Sequence, residues 1–396
     1  MIMAEQSTGS TARIRLRCAH LVTPTGTLTD GVVVIDGDTI TEVRSFTDHD
    51  LESGEPIEKI DGWVLPGFVD THTHGGAGRD LGSTDSDDIR AVAAFARRHG
   101  ATSIFASLVT AELTRIEDQL RTLGPLVAAG EIAGIHAEGP FLSPERRGAH
   151  DPRLLRHPEP EAVDRILTAA DGRLSMITIA PELPGAPEAI SRFVDNGVAV
   201  AIGHTDADDR IVAAAVDAGA RVATHLFNAM PPIHHRHPGP IPLLLTDPRV
   251  TVELIMDGVH LHPEVLAMAV AAAGPDRVAM VTDAMVATGM DDGDYRLGDL
   301  EVAVEAGVAR LRTADGSVGS IAGSTLTMQA AFGYAVQTLG LSITDVAAMA
   351  ATTPARTHRL DSVGTVEPGR RADLVVVDDQ GNLHAVMAAG QWEDRQ

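Results

Sequence analysis

Along the middle of the chain, short apolar runs alternate with longer segments whose apolar positions recur every three to four residues. The runs at 68–72, 102–108, 133–138, 174–180, 198–204, 221–225, 250–255 and 278–283 predict strands buried on both faces. The segments at 87–98, 113–129, 159–170, 187–196, 207–218 and 263–273 predict helices, followed by further helices at 324–339, 342–351 and 354–360. This alternation marks a parallel α/β unit, and eight strands is the number that closes a (β/α)8 TIM-type barrel. An open doubly wound sheet is the competing architecture. It lacks a Gly-x-Gly-x-x-Gly turn here: Gly75-Gly76-Ala77-Gly78 has neither that spacing nor a following Lys-Ser/Thr pair.

The two ends have a different texture. Residues 14–18 alternate, 32–35 are β-branched, and Asp36-Gly37 makes a hairpin signal before 39–43. Near the other end, 372–377 and 385–387 flank a turn at 379–382. Neither end carries enough strands for a core of its own, so the two are expected to combine into one small β-sandwich domain. The expected division is 1–65 and 361–396 for that domain, with 66–360 as the barrel. Residues 1–17 read as a ragged tail without the basic and apolar regions of a signal peptide.

Composition narrows the setting. Hydrophobic residues make up 44% of the 396 and mean hydropathy is +0.05, with no uninterrupted apolar run of membrane-spanning length. Cys18 is the only cysteine, which excludes an internal disulfide and suits a reducing, cytoplasmic setting. The 31 basic against 55 acidic residues leave a net charge of −24, which argues against nucleic acid or an anionic membrane as partner. An anionic small molecule would need a local basic cluster.

Candidate chemistry gathers where strands end. In Pro66-Gly67-Phe68-Val69-Asp70-Thr71-His72-Thr73-His74, the imidazoles at i and i+2 share one face of a strand. The third strand ends at Glu138, the fifth at His204, the sixth at His225 and the eighth at Asp283. Each alone could be only the polar residue that ends a strand. Four histidines and two carboxylates at the rim where barrels place their working residues point instead to a metal centre. Such ligands suit zinc first, with iron(II) and manganese as alternatives, one or two ions per subunit. Lys59, the only lysine, precedes the first barrel strand, so it cannot bridge two ions there as a carbamate. Glu138 is the candidate bridge. Asp283 is also the candidate general base, against a competing role as a helix N-cap. A divalent ion lowers the pKa of water from about 15.7 to roughly 7, so the expected reaction is hydrolysis at a carbonyl or phosphoryl centre.

The loop after the sixth strand sets Arg236 among His234, His235 and His237, a basic island in an acidic chain. Arg236 offers a bidentate fork to an anion, while Asn228 and the amide of Ala229 offer neutral donors. A solvated surface loop is the competing reading. His260 is either a substrate contact or a polar cap, and His150 either reaches inward from the loop after Glu138 or is solvated.

The 66–74 motif, the run Pro368-Gly369-Arg370-Arg371-Ala372-Asp373 and the strand-end ligands resemble the metal-dependent amidohydrolase superfamily. His136-Ala137-Glu138-Gly139-Pro140-Phe141, His225-Leu226-Phe227-Asn228-Ala229-Met230, Asp257-Gly258-Val259-His260 and Ala322-Gly323-Ser324 resemble, within it, the family of N-acetylglucosamine-6-phosphate deacetylases. The resemblance implies a barrel with a β-sandwich, usually a homodimer, that releases acetate from N-acetyl-D-glucosamine 6-phosphate. It implies Glu138, His204 and His225 as ligands of the main ion, with His72 and His74 adding a second. It implies Asp283 as acid and base, His150 beside the acetamide carbonyl, and His150, Asn228, Ala229, Arg236, His260, Ile321 and Ala322 at the sugar phosphate, some across a dimer interface. Another amidohydrolase, acting on a cyclic amide or nucleobase, is the alternative enzyme, and an inactive scaffold the alternative class.

Overall fold

The computed structural model describes residues 13–313 and 318–393. The expected tail lies outside the described residues as far as residue 12, and from Ile14 the chain is strand. Strands Ile14–Thr23, Gly26–Asp36 and Thr39–Ser45 form an antiparallel meander, with Gly37 at φ +63° in its second turn, a conformation glycine adopts without a Cβ clash. Glu58–Pro66 joins the first of these in parallel, then pairs antiparallel with Leu374–Val377, so both ends share one sheet. Leu383–Ala388 and Gln391–Trp392 complete seven strands.

That sheet curls on itself. The amide of Ile40 donates to Arg370 O (2.8 Å) and that of Gly369 to Ile40 O (2.8 Å), tying the segment before Leu374 to the opposite hairpin. Inside lie Leu16, Cys18, Leu21, Val33, Ile35, Ile40, Leu374, Val376 and Met387. Each large aliphatic side chain here contributes roughly 1.5–3 kcal/mol by leaving water.

The eight expected barrel strands are present as Phe68–Thr73, Ala101–Leu108, Gly134–Glu138, Leu174–Ile179, Ala199–Ile202, Val222–Ala223, Thr251–Ile255 and Val278–Val281. They pair in parallel in sequence order. The eighth returns to the first: Asp283 N–H donates to His72 O (2.8 Å), Thr73 bridges Ala284, and Thr282 Oγ1 donates to Asp70 Oδ2 (2.6 Å). The six expected intervening helices pack outside, and a short extra one, Ile241–Thr246, follows the sixth strand.

Two differences bear on the site. The helix expected from residue 324 begins at Met328, because Ser324 extends the barrel rim: its amide donates to Asp283 O (2.7 Å) and its hydroxyl to Thr282 O (2.6 Å). Between the eighth strand and that helix lies an unexpected antiparallel meander, Gly293–Leu297, Leu300–Glu305, Val308–Arg312 and Val318–Ile321. Its own small core includes Met285, Leu297, Val302, Val304 and Ala322. The alternation around Val302 and Val304 and the turn Ala306-Gly307 carried its signal.

Cys18 is completely buried in the terminal sheet, and burial pushes its thiol up to about 12. The native protein is therefore expected to resist a thiol reagent such as dithionitrobenzoate at pH 8, and to release one equivalent of chromophore in denaturant. Rapid reaction without denaturant would mean that this sheet opens.

Candidate metal centre

His72, on the first strand, and His74, just past its end, are both buried, with their Nε2 atoms 3.2 Å apart. Glu138, from the end of the third strand, is the hub. Its Oε1 lies 3.5 Å from His72 Nε2, 3.2 Å from His204 Nε2 and 3.0 Å from His225 Nε2. Its Oε2 lies 3.2 Å from His74 Nε2 and 3.4 Å from His150 Nε2. Asp283 Oδ1 is 3.5 Å and 3.2 Å from His72 and His74 Nε2. Two groups able to hold a cation result, His72/His74/Asp283 and Glu138/His204/His225, and Glu138 reaches both.

Backbone conformation aims these side chains. His204, His225 and Asp283 have φ of +46°, +26° and +50°. Such left-handed conformations cost non-glycine residues of order 1–3 kcal/mol each and persist only where surrounding bonds hold them. Those bonds are present: Ser143 N–H to His204 O (2.9 Å), Asn228 N–H to His225 O (3.1 Å) and Ser324 N–H to Asp283 O.

The outer nitrogens decide what the inner ones can do. His74 Nδ1 meets Ser107 O at 3.1 Å and His204 Nδ1 meets Arg146 O at 2.9 Å. A carbonyl only accepts, so both rings carry a proton on Nδ1, and in the neutral imidazole the Nε2 lone pair faces inward. Inward lone pairs and buried carboxylates together are the donor set of a divalent cation, with no thiolate to close it as a structural zinc site. Burial opposes charge on Asp283, yet the imidazoles of His72 and His74 hold its carboxyl at about 2. Burial likewise opposes a proton on His74, but Asp283 and Glu138 push it up to about 9. The pocket therefore rewards positive charge beside its carboxylates. At His150 burial dominates and lowers the imidazole to about 4, leaving it neutral at pH 7.

A cavity of about 340 Å³ opens over these groups. Of the expected substrate contacts, His150, Asn228, Ala229, His260 and Ile321 line it. His150 is buried, not solvated, with Nδ1 2.9 Å from Thr110 Oγ1. His260 is braced by Asp257 Oδ2 at 2.7 Å. Ala322 lies instead in the meander's core beneath the rim, between two residues that do line the cavity, Ile321 and Gly323. Arg236 is outside: its loop runs over the surface and the residue is exposed. The guanidinium at the cavity wall is that of Arg146, whose Nε donates to Asp206 Oδ1 at 2.7 Å.

Sequence reasoning missed Arg146, which sits unremarkably in a polar run. It also missed the residues behind the ligands, Ser107, Thr110 and Glu253. For Glu253 a signal existed, a single charge inside the apolar strand Thr251–Ile255.

Comparison with known proteins agrees with this geometry. Residues 63–392 match the amidohydrolase family. An N-acetylgalactosamine-6-phosphate deacetylase of Escherichia coli O157:H7 is 34% identical over 95% of this chain and 98% of its own length. An N-acetylglucosamine-6-phosphate deacetylase of Bacillus subtilis is also 34% identical, over 93% and 94%. Among solved structures, an N-acetyl-D-glucosamine-6-phosphate deacetylase mutant of Mycobacterium smegmatis, in complex with N-acetyl-D-glucosamine 6-phosphate, superposes with a TM-score of 0.91 at 43% identity, covering 96% of this chain and 99% of that one. With fold, ligand constellation and full-length similarity in agreement, the chain belongs to the amidohydrolase family.

Proposed function

We propose that the protein hydrolyses N-acetyl-D-glucosamine 6-phosphate to D-glucosamine 6-phosphate and acetate. The observation that carries this reading is the cavity over His72, His74, Glu138, His204, His225 and Asp283, lined by neutral donors suited to a sugar phosphate. The names of the full-length relatives favour it over a cyclic-amide or nucleobase substrate. A second reading differs only in the sugar's configuration at C4, and rests on the name of the Escherichia coli relative. The catalytic unit in this proposal is 66–360, flanked by the halves of the β-domain at 1–65 and 361–396.

His72, His74 and Asp283 would hold one divalent ion and Glu138, His204 and His225 another, with Glu138 shared. Zinc is the first candidate, then iron or manganese. Bound there, such ions supply Lewis acidity toward the acetamide oxygen and a lowered pKa for water. Asp283, ionised at neutral pH, takes a proton from the attacking water on a carboxylate oxygen and delivers it to the departing C2 nitrogen. Neutral His150, held at Nδ1 by Thr110 Oγ1, donates to the acetamide oxygen in the tautomer that carries its proton on Nε2. Asn228, the amide of Ala229 and His260 hold the phosphate end, far enough from the scissile bond to orient the sugar. Arg236, exposed on the loop that follows Asn228 and Ala229, is assigned to the phosphate of a partner subunit in a homodimer. Ile321, at the end of the meander, forms the rim over the sugar, with Ala322 packed beneath it. The single buried cysteine supports a cytoplasmic setting.

Replacing Asp283→Asn is expected to keep the ion at Glu138, His204 and His225 while acetate release slows at least about a hundredfold, the usual scale of general-base catalysis. Near-normal turnover at full metal content would refute the role of Asp283. Dialysis against a chelator should abolish activity, with recovery on adding a divalent ion; activity that survives complete metal removal counts against the mechanism. Arg236→Ala is expected to lower kcat/KM for the 6-phosphate by roughly 10- to 100-fold, from a lost charge-assisted contact. Activity on unphosphorylated N-acetylglucosamine should not change. An equal loss on both sugars would show that Arg236 does not read the phosphate.

A further inference from the structure

Glu253 sits at the middle of the seventh barrel strand and is completely buried. Its Oε2 is 3.1 Å from His72 Nδ1 and accepts from the backbone N–H of His225 at 3.3 Å, while Oε1 accepts from Thr71 Oγ1 at 3.4 Å. One carboxylate therefore touches both halves of the metal centre from behind. Among the described residues His72 is its ion-pair partner, with no arginine or lysine within reach. Burying a carboxylate without a full countercharge costs several kcal/mol.

The outer partners of the other imidazoles differ in kind. His74 and His204 donate to backbone carbonyls, and His225 Nδ1 is buried without a partner. Only His72 is backed by a carboxylate. A carboxylate behind an imidazole fixes its tautomer and raises its basicity, and so its affinity for a cation at the opposite nitrogen. The cost of burying Glu253 is in turn offset when positive charge is placed on the far side of His72, about one imidazole ring away. The same oxygen also restrains the strained backbone of His225, at φ +26°.

We propose that Glu253 is a positioning residue that makes the His72/His74/Asp283 half a metal site, acting through His72, and so sets the number of ions the centre holds. This rests on the two-ion reading above. The test compares zinc content and stepwise zinc affinity in the wild type, Glu253→Gln, His72→Gln and the double variant, each purified without chelator and reloaded with zinc. The wild type is expected to hold two ions and Glu253→Gln one, the weaker ion losing affinity by roughly 10- to 100-fold. The double variant should match His72→Gln, because removing Glu253 has no further effect once His72 is gone. A wild type that holds only one ion removes the two-ion reading itself. A two-ion wild type with an unchanged Glu253→Gln variant, or losses that add in the double variant, overturns the role of Glu253 alone. Should Glu253→Gln fail to fold, the double variant decides, since it replaces the buried pair with two neutral amides. A folded double variant that matches His72→Gln in zinc content and affinity supports the proposal, and one that binds zinc more weakly than His72→Gln overturns it.

Discussion

The site depends on a conflict that protein atoms alone do not resolve. At least two imidazoles are held by backbone carbonyls so that, when neutral, they point lone pairs into a buried barrel mouth, where buried carboxylates already converge. Like-signed electron density at 3.2 Å is repulsive unless positive charge lies between. Protons on His72 and His74 relieve part of it, which is why these imidazoles are pushed up while Asp283 is held low. A divalent ion relieves it more completely, because one such charge serves several ligands at once.

Holding the ligands in this arrangement falls to the barrel's closure. The eighth strand is fastened to the first by bonds from Asp283 and Thr282 to His72 and Asp70, so the closing contact and the ligand set share residues. A barrel opened along this seam would lose Asp283 from the His72 side of the centre. The meander beyond the eighth strand fits the same logic, since Ser324 at its far end bonds back to Asp283 and Thr282. The roof of the cavity and its catalytic floor are thus joined through two residues.

Much of this could be read before any coordinates. The i and i+2 spacing of His72 and His74 means one face of a strand whatever the surrounding fold, and eight apolar runs ending in metal-capable residues imply a common rim. Arg236 was less readable because a charge in a loop has no periodicity to give it direction, and its loop turned outward. Ala322 is less readable still, since its neighbours line the cavity while it packs beneath. Glu253 lies inside a strand, away from the strand ends where ligands are expected. Strand ends are where ligands sit, whereas strand interiors are where their partners sit, and the interior also has a polar chain running from Ser107 through His136 and Thr178 to Thr224.

Net charge gives the count of ions a consequence for substrate binding. The chain carries −24, and three carboxylates, Glu138, Glu253 and Asp283, are buried at or beside the centre. One divalent ion leaves that centre negative, and two make it positive. The proposed substrate, a sugar phosphate, would meet either sign through a low-dielectric wall, where charge is screened less than at the surface. Arg146, the guanidinium on the cavity wall, is already paired with Asp206. Filling the His72 half would therefore serve attraction of the anionic end as well as chemistry at the acetamide. A carboxylate that determines whether that half is filled would, through the same bond to His72, influence both.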